Sequence, residues 1–494
     1  MNQNAIDLDQ EAIEKQLGFS TEASFQIAQD IYEQGAHSKA YAVLKLDSGL
    51  TAPVAKGGTI KGYSESDSAI ETTAYSAADV GSTTLKVKYQ TFDTGRHNEC
   101  SVGALPVEDQ YKSGCFKDVA NVTVNGALYT YTYNVEEDNK NGRTIAGFST
   151  SAEEKQLNGC PGCPYKEFKK YYDYYGAPDY AHQWITAAFD GTKTEMKNGN
   201  ADFSTYGLTG RKECAKKGTA YMSVYMYVIR EFEDAIDDCD KNSINDNYGS
   251  VHAWDEGVAF YSGTKVGVYG DTAGKLIYTL ADKRCANFKT CGMDGDELEG
   301  TSYVNEKLFE LFTLGQYHLL SGQCENVRPI VDEIVDLMSV PLVQGTLRYA
   351  YKVDKLEGAE KEKAEGAVFA ASVIPRVHAC NEEDATTIYD NMKVGASSTD
   401  FSAVQKAFED NYKCMGINGK LVGGLWNDAL SKYYEGAEPK KDSSNSRNNL
   451  AIGLGVGFGI VGVIGLGFIV HMIRKEKQGK PIFTSAEKFN DDIA

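Results

Sequence analysis

Apolar positions along the chain alternate between two periods. In residues 20–46, STEASFQIAQDIYEQGAHSKAYAVLKL, a Ser/Thr cap precedes Phe25, Ala28, Ile31 and Tyr32 at helical spacing, so two helices divided by Gly35 are expected. The period then shortens to two. TTLKVKYQTF alternates Leu85, Val87 and Tyr89, and NVTV, ALYTYTYNV and RTIAGF follow as strands. Asn125-Gly126 and a loop ending in Asn141-Gly142 are hairpin signals between them, so a β meander is expected over roughly 70–150. From about residue 165 the period is helical again. In YMSVYMYVIREFEDAIDDC, Tyr221, Val224, Tyr225, Val228, Phe232 and Ile236 line one face, and Tyr227, Arg230, Glu231 and Asp234 the other. Further helices are expected at 303–320, 327–352, 364–374 and 401–412, and GSVHAWDEGVAFYSG (249–263) reads as one that buries Trp254, Val258 and Phe260.

The helical part repeats itself. DEGVAFYSG (255–263) is echoed by AEGAVFAAS (364–372), pairing Glu256 with Glu365, Gly257 with Gly366 and Phe260 with Phe369. Upstream of each lies a tyrosine-bearing helix, in which Arg230 pairs with Arg348. The echo is incomplete, because Ala364 stands opposite Asp255 and Lys361 opposite His252. The expected class is therefore α+β: a mainly helical ectodomain with an internal duplication and a β-meander insertion. Its parts are N-terminal helices plus a β-rich region over 1–164, helical unit A over 165–302 and helical unit B over 303–434.

Beyond 434 the composition changes twice. A polar Pro/Ser/Asn-rich stalk occupies 435–449, and Leu450–Val470 then gives 21 residues without a charge, enough for a transmembrane helix within 450–473. Arg474, Lys475, Lys477 and Lys480 make 474–494 a cytoplasmic tail by the positive-inside rule, so 1–449 lie outside the plasma membrane. The alternative, a tail-anchored protein facing the cytoplasm, would put these basic residues on the other side. Export of the N-terminal bulk needs a signal peptide, and MNQNAIDLDQ has no apolar core, so a removed leader is expected. Seven glycines in the span, among them Gly453/Gly457 and Gly455/Gly459, permit close helix approach in a homodimer. Phe483 and Phe489 in the tail suit a short sorting peptide read by an endocytic adaptor.

Charge and cysteines narrow the function. A formal charge of −20 argues against nucleic acid and anionic membrane surfaces and favours cations as partners. All 11 cysteines fall between Cys100 and Cys414, which in an exported domain suggests disulfides, with one thiol left free or paired between molecules. Cys160 and Cys163 (CPGC) are expected to be a structural disulfide, since no second CxxC completes a zinc site. Asn121 in NVT is a glycosylation sequon, in keeping with an outside location. No HExxH, Gly-x-Ser-x-Gly, phosphate loop or complete EF-hand is present, so a binding protein is expected rather than an enzyme.

One stretch offers a metal. His252, Asp255 and Glu256, at i, i+3 and i+4, share a helix face and could bind a cation, with Tyr261 on the next turn. Ferric iron, being hard, would want more oxygen donors, which Tyr227, Glu233 and Asp234 could supply from the preceding helix. Glu365, the counterpart of Glu256, and Tyr351 are further candidate ligands in the second hairpin, and Arg230 and Arg348 are the candidate partners of a small anion such as carbonate. The competing reading pairs Arg230 with Asp234 and leaves His252 and Asp255 solvated. Spacing alone leaves both open.

HAWDEGVAFYSG, RCANFKTCG (284–292) and the recurring Ile-Tyr…Gly…Ser turns resemble the Fe-assimilating protein family of algae over roughly residues 20–430. With the C-terminal span and basic tail, the chain is similar to the phytotransferrins, iron-starvation-induced surface proteins of diatoms within that family. The resemblance implies capture of Fe(III) at the plasma membrane, carbonate as synergistic anion, and internalisation into endosomal vesicles. It assigns no ligand to a residue. A second likeness, to the His-x-x-Glu motif of imelysin-like helical proteins, departs at Asp255. Two other functions fit the composition: an adhesion or wall-associated protein holding divalent cations loosely, and a surface enzyme of bicarbonate or metal chemistry.

Overall fold

A computed structural model describes residues 3, 6–35, 38, 41–63, 69–74, 76–88, 101–102, 105–106, 117–133, 144–244, 249–263 and 274–441. Two helices open it, α1 (Ile6–Gly18) and α2 (Glu22–Gln34). Thr21 caps α2 by accepting from the Ser24 amide, as the Ser/Thr signal suggested. The second helix expected after Gly35 is instead a strand, β1 (Tyr41–Leu46). In YAVLKL, Ala42, Leu44 and Leu46 are buried, so the working period there is two and not 3.6.

β1 belongs to a six-stranded antiparallel sheet with β2 (Thr59–Tyr63), β3 (Ala69–Thr73), β4 (Thr84–Lys88), β7 (Val119–Val124) and β8 (Ala127–Thr132). A separate two-residue pair, β5 (Ser101–Val102) and β6 (Leu105–Pro106), lies between them in sequence. The order β3-β2-β7-β8-β1-β4 corrects the expected meander, since the β7–β8 hairpin is inserted between β2 and β1. That hairpin turns at Asn125 and Gly126, both with positive φ, as the Asn-Gly signal requires. The sheet curls until its edge strands meet at a bridge between Ala74 and Val87. Its inner face has its own core, built from Leu44, Ile60, Leu85, Val87, Val122 and Tyr131.

RTIAGF does not continue the sheet. Thr144 caps a short helix, α3 (Ile145–Thr150), by accepting from the Gly147 amide, and Ile145 and Phe148 enter the helical core. The helices that follow are α4 (Lys166–Tyr175), α5 (Tyr180–Asp190), α6 (Leu208–Gly218), α7 (Tyr225–Asp240), α8 (Ser250–Ser262), α9 (Ile277–Phe288), α10 (Tyr303–Leu320), α11 (Val327–Lys355), α12 (Glu360–His378), α13 (Glu382–Met392), α14 (Phe401–Asn411) and α15 (Gly419–Val422). One buried cluster runs from Ile6 to Ala437 and draws on both segments expected as repeat units. Residues 1–440 form one unit; of the second, 441–494, only Lys441 is described. The expected span, tail and glycine face lie outside the described residues. Among the described residues no helix is long and apolar enough to cross a membrane.

Disulfides join Cys160–Cys163, Cys239–Cys324, Cys285–Cys291 and Cys380–Cys414. CPGC is thus a disulfide, as expected. Cys214 is a buried free thiol, and Cys100 and Cys115 lie outside the described residues.

Candidate metal site

α7 and α8 are consecutive helices packed closely along their length, and glycine makes the approach feasible. A Cβ at Gly257 would stand 2.9 Å from the Phe232 ring. Phe260 fits beside it, edge-on to Tyr227 at 5.6 Å and to Phe148 at 5.1 Å. Trp254 is fully inside and donates from Nε1 to the Phe312 carbonyl. The apolar face expected of GSVHAWDEGVAFYSG is therefore present, with Val258 only partly buried.

The polar residues of α7 and α8 form one cluster, from which three candidates depart. Tyr227, Arg230, Glu231 and Asp234 line consecutive turns of α7, and Arg230 pairs with Glu231 at 2.8 Å and Asp234 at 3.0 Å. On α8, His252 Nε2 lies 3.0 Å from Glu256 Oε1, and Gln3 also donates to Glu256. These two sets form one electrostatic cluster, because Glu256 acts on Glu231, Tyr227 and Lys155. Asp255 departs from it and accepts from Gln316 of α10 at 2.7 Å. Glu233 departs too, held by Arg328 at 2.6 Å. Tyr261 is fully buried elsewhere and donates to Asn305. With Asp255 turned to Gln316, the i, i+3, i+4 triplet does not act as one unit.

Two members of the cluster were absent from the sequence-derived set. Lys155, from a π-helical turn at Glu153–Asn158, reaches the Tyr227 hydroxyl at 3.3 Å. Nothing in the sequence near Lys155 signals this long-range contact. Glu231 is 1 % exposed, and its place beside Arg230 on the polar face of α7 was the available clue. Burial pushes its carboxyl up to about 7 against the pull of Arg230, and Glu256 and Asp234 push the same way. Burial likewise raises the Tyr227 phenol and the Asp234 carboxyl, and lowers the Lys155 ammonium. The hydrogen bond to Glu256 raises His252. Burial alone would depress Arg230, yet Glu231 and Tyr227 hold it well above its usual range. The Nε of Arg230 is buried with no hydrogen-bond partner. The Arg230–Asp234 pair of the competing reading is thus present, alongside a carboxylate cluster that reading did not contain.

The second hairpin, α11–α12, differs in its occupants. Glu365 binds Lys217 at 2.7 Å. Tyr351 points instead to Phe401 and Tyr434, with ring centroids at 5.0 Å and 4.9 Å. The tyrosine that reaches Glu365 is Tyr349, two residues earlier on α11. Arg348 lies over the Tyr349 ring at 5.7 Å, its Nε also unpartnered. Asn121 is exposed on β7 and accepts from Thr130. Among the described residues no group of three His, Cys, Asp or Glu is placed to hold a metal ion. A hard cation at the α7–α8 cluster would need the phenol of Tyr227 and an added anion besides Glu231 and Glu256.

The fold and cluster define an α+β, mainly helical, disulfide-bonded protein with buried carboxylates beside an arginine. Residues 209–425, a little under half of the chain and including both hairpins, match the family model described as low iron-inducible periplasmic protein (Fea1). Over that stretch the chain is similar to this low-iron-induced family, in keeping with the Fe-assimilating resemblance of its motifs. The family's description is periplasmic, consistent with exposure outside the cytoplasm. No curated protein and no solved structure matches the chain.

Proposed function

We propose that the chain is a ferric iron-binding protein of the cell surface, which captures Fe(III) with carbonate at the α7–α8 cluster. The observation that carries this reading is the buried Glu231 carboxyl, 1 % exposed, 2.8 Å from Arg230 and repelled by Glu256 and by Asp234 of its own helix. A trivalent cation relieves that repulsion, and Tyr227 and His252 add phenolate and imidazole donors. The unpartnered Nε of Arg230 gives the carbonate a donor. Ligation requires Glu231 and Tyr227 to lose protons, and Lys155 to leave the Tyr227 hydroxyl. Anchoring by Leu450–Val470, internalisation through the tail, glycosylation at Asn121 and a binding role without catalysis belong to the same proposal.

Titrating the purified chain with Fe(III), with and without bicarbonate, tests it. Stoichiometric binding with a visible phenolate-to-iron band that needs bicarbonate is expected. Iron binding without bicarbonate dependence removes the anion, and neither colour nor stoichiometric binding overturns the reading. Glu256→Gln should weaken iron binding about tenfold or more, roughly 1.4 kcal/mol, whereas Glu299→Gln, at an exposed loop position, should not. Equal affinities would return Glu256 to a purely structural part.

A further inference from the structure

Buried arginine side chains are ordinarily matched by carboxylates or carbonyls, because a guanidinium keeps its charge at any pH a protein meets. Arg376 follows the rule in its charge pairing: it lies beside Glu167 and Asp336 and donates to the carbonyls of Val335 and Met415, although its Nε makes no hydrogen bond. Arg284, on α9, does not. It is 8 % exposed, and its Nε and Nη1 have no hydrogen-bond partner. Its surroundings make the position worse. Arg348 repels it, and the contacts it does have are the Tyr349 hydroxyl and the Phe369 ring at 5.9 Å. Phe369 is itself stacked between Tyr221 at 5.4 Å and Tyr349 at 5.8 Å, and Arg348 and Lys352 both lie over Tyr349.

The carboxylates at hand are already engaged. Glu365 binds Lys217 at 2.7 Å, and Glu213 binds Lys217 at 2.6 Å and Lys216 at 2.9 Å. Lys283, next to Arg284 and exposed, adds a further positive charge to the repulsion. A cation over an aromatic face recovers on the order of 1–2 kcal/mol, less than burying an unpaired guanidinium costs. Two mutually repelling arginines with three unpartnered nitrogens between them want acceptor oxygens carrying negative charge.

We propose that Arg284 and Arg348, on facing helices α9 and α11, form a binding site for a small oxyanion, distinct from the α7–α8 cluster. Phosphate and bicarbonate both have the required chemistry: compact, anionic, with several acceptor oxygens. The site needs no iron, so it stands or falls separately from the ferric reading. Bound, the anion would hold α9 against α11 through both guanidinium groups.

The test uses the full chain, free of iron, in a buffer whose only small anion is chloride. Sodium phosphate and sodium bicarbonate are added separately, following the unfolding temperature and the heat of binding. A saturable rise in unfolding temperature with one or both is expected, and the more effective salt identifies the anion. Arg348→Gln, at a half-buried position, should weaken that anion's binding at least tenfold, and Arg284→Gln should abolish the shift. In chloride alone Arg284→Gln should unfold no earlier than the parent, because it removes an unpaired buried charge. If Arg284→Gln does not fold, Arg348→Gln alone decides. No saturable shift with either salt, or a shift that Arg348→Gln keeps in full, overturns the site and leaves these nitrogens to water.

Discussion

Glu231 ties acid–base chemistry to stability through one carboxyl. Its folded pKa of about 7 lies above the ordinary value of 4.5, so the folded chain binds a proton that the unfolded chain releases. Stability from this group is therefore complete below pH 4.5 and is lost as pH rises toward 7, by on the order of 3 kcal/mol at most. Glu213 acts in a different window. Lys217 and Lys216 hold it down at about 2 despite its burial, so its contribution is lost only as pH falls from 4.5 toward 2. His252, raised by Glu256, has the same sign as Glu231 at higher pH. Denaturant unfolding of the metal-free chain at several pH values between 4.5 and 7 should show stability falling, and Glu231→Gln should flatten the slope. An unchanged slope in that variant would mean that Glu231 ionises normally. The sequence showed the types at this site better than their grouping. His252, Glu256, Tyr227, Arg230 and Asp234 do meet, because helical spacing fixes which residues share a face. Asp255, Glu233 and Tyr261 are drawn away by Gln316, Arg328 and Asn305, tertiary partners that no local period reveals.

Helix pairs, more than single helices, carry the architecture, and glycine decides how closely two of them pack. Gly257 has Phe232 carbons at 2.9–3.1 Å from a would-be Cβ, whereas Gly18 at the end of α1 has nothing within 4 Å. Gly257→Ala should cost about 1–3 kcal/mol through displaced rings, and Gly18→Ala should be neutral or stabilising by up to ~1 kcal/mol. Chemical denaturation of both variants measures this, and equal stabilities would mean that α7 and α8 are not in close contact there. The two hairpins differ at the matching position. The register that pairs Arg230 with Arg348 sets Gly345 opposite Tyr227. Phe260 packs on Tyr227, and its counterpart Phe369 comes within 2.7 Å of a Cβ built on Gly345. One hairpin fills the space with a phenol ring and the other leaves it to backbone. The long amphipathic helices were legible because their period persists over several turns. YAVLKL and RTIAGF are six residues each and suit either period, so long-range pairing or a Thr144 cap decides them.

Across the whole molecule, the disulfides do what a chain in an oxidising compartment needs where a core alone leaves long loops unconstrained. Cys214, the free thiol among the described residues, is buried, and burial pushes its pKa well up, which leaves it unreactive. The four bridges should not be equal. Cys239–Cys324 joins the last turn of α7 to the start of the segment leading into α11, across 85 residues of sequence, while Cys160–Cys163 spans 3. In the chain-entropy account the long closure is worth roughly 4–5 kcal/mol and the short one roughly 1–2 kcal/mol, before any native-state effect. Replacing Cys239 and Cys324 together with alanine should therefore lower the unfolding free energy by several kcal/mol more than replacing Cys160 and Cys163. It should also loosen the α7 end of the candidate site, with iron affinity falling alongside stability. Denaturant unfolding of the two double variants, followed by iron titration of each, decides the matter. Equal losses of stability would show that the unfolded chain keeps these helices together without the bridge, and unchanged iron affinity would detach the site from the Cys239 end of α7.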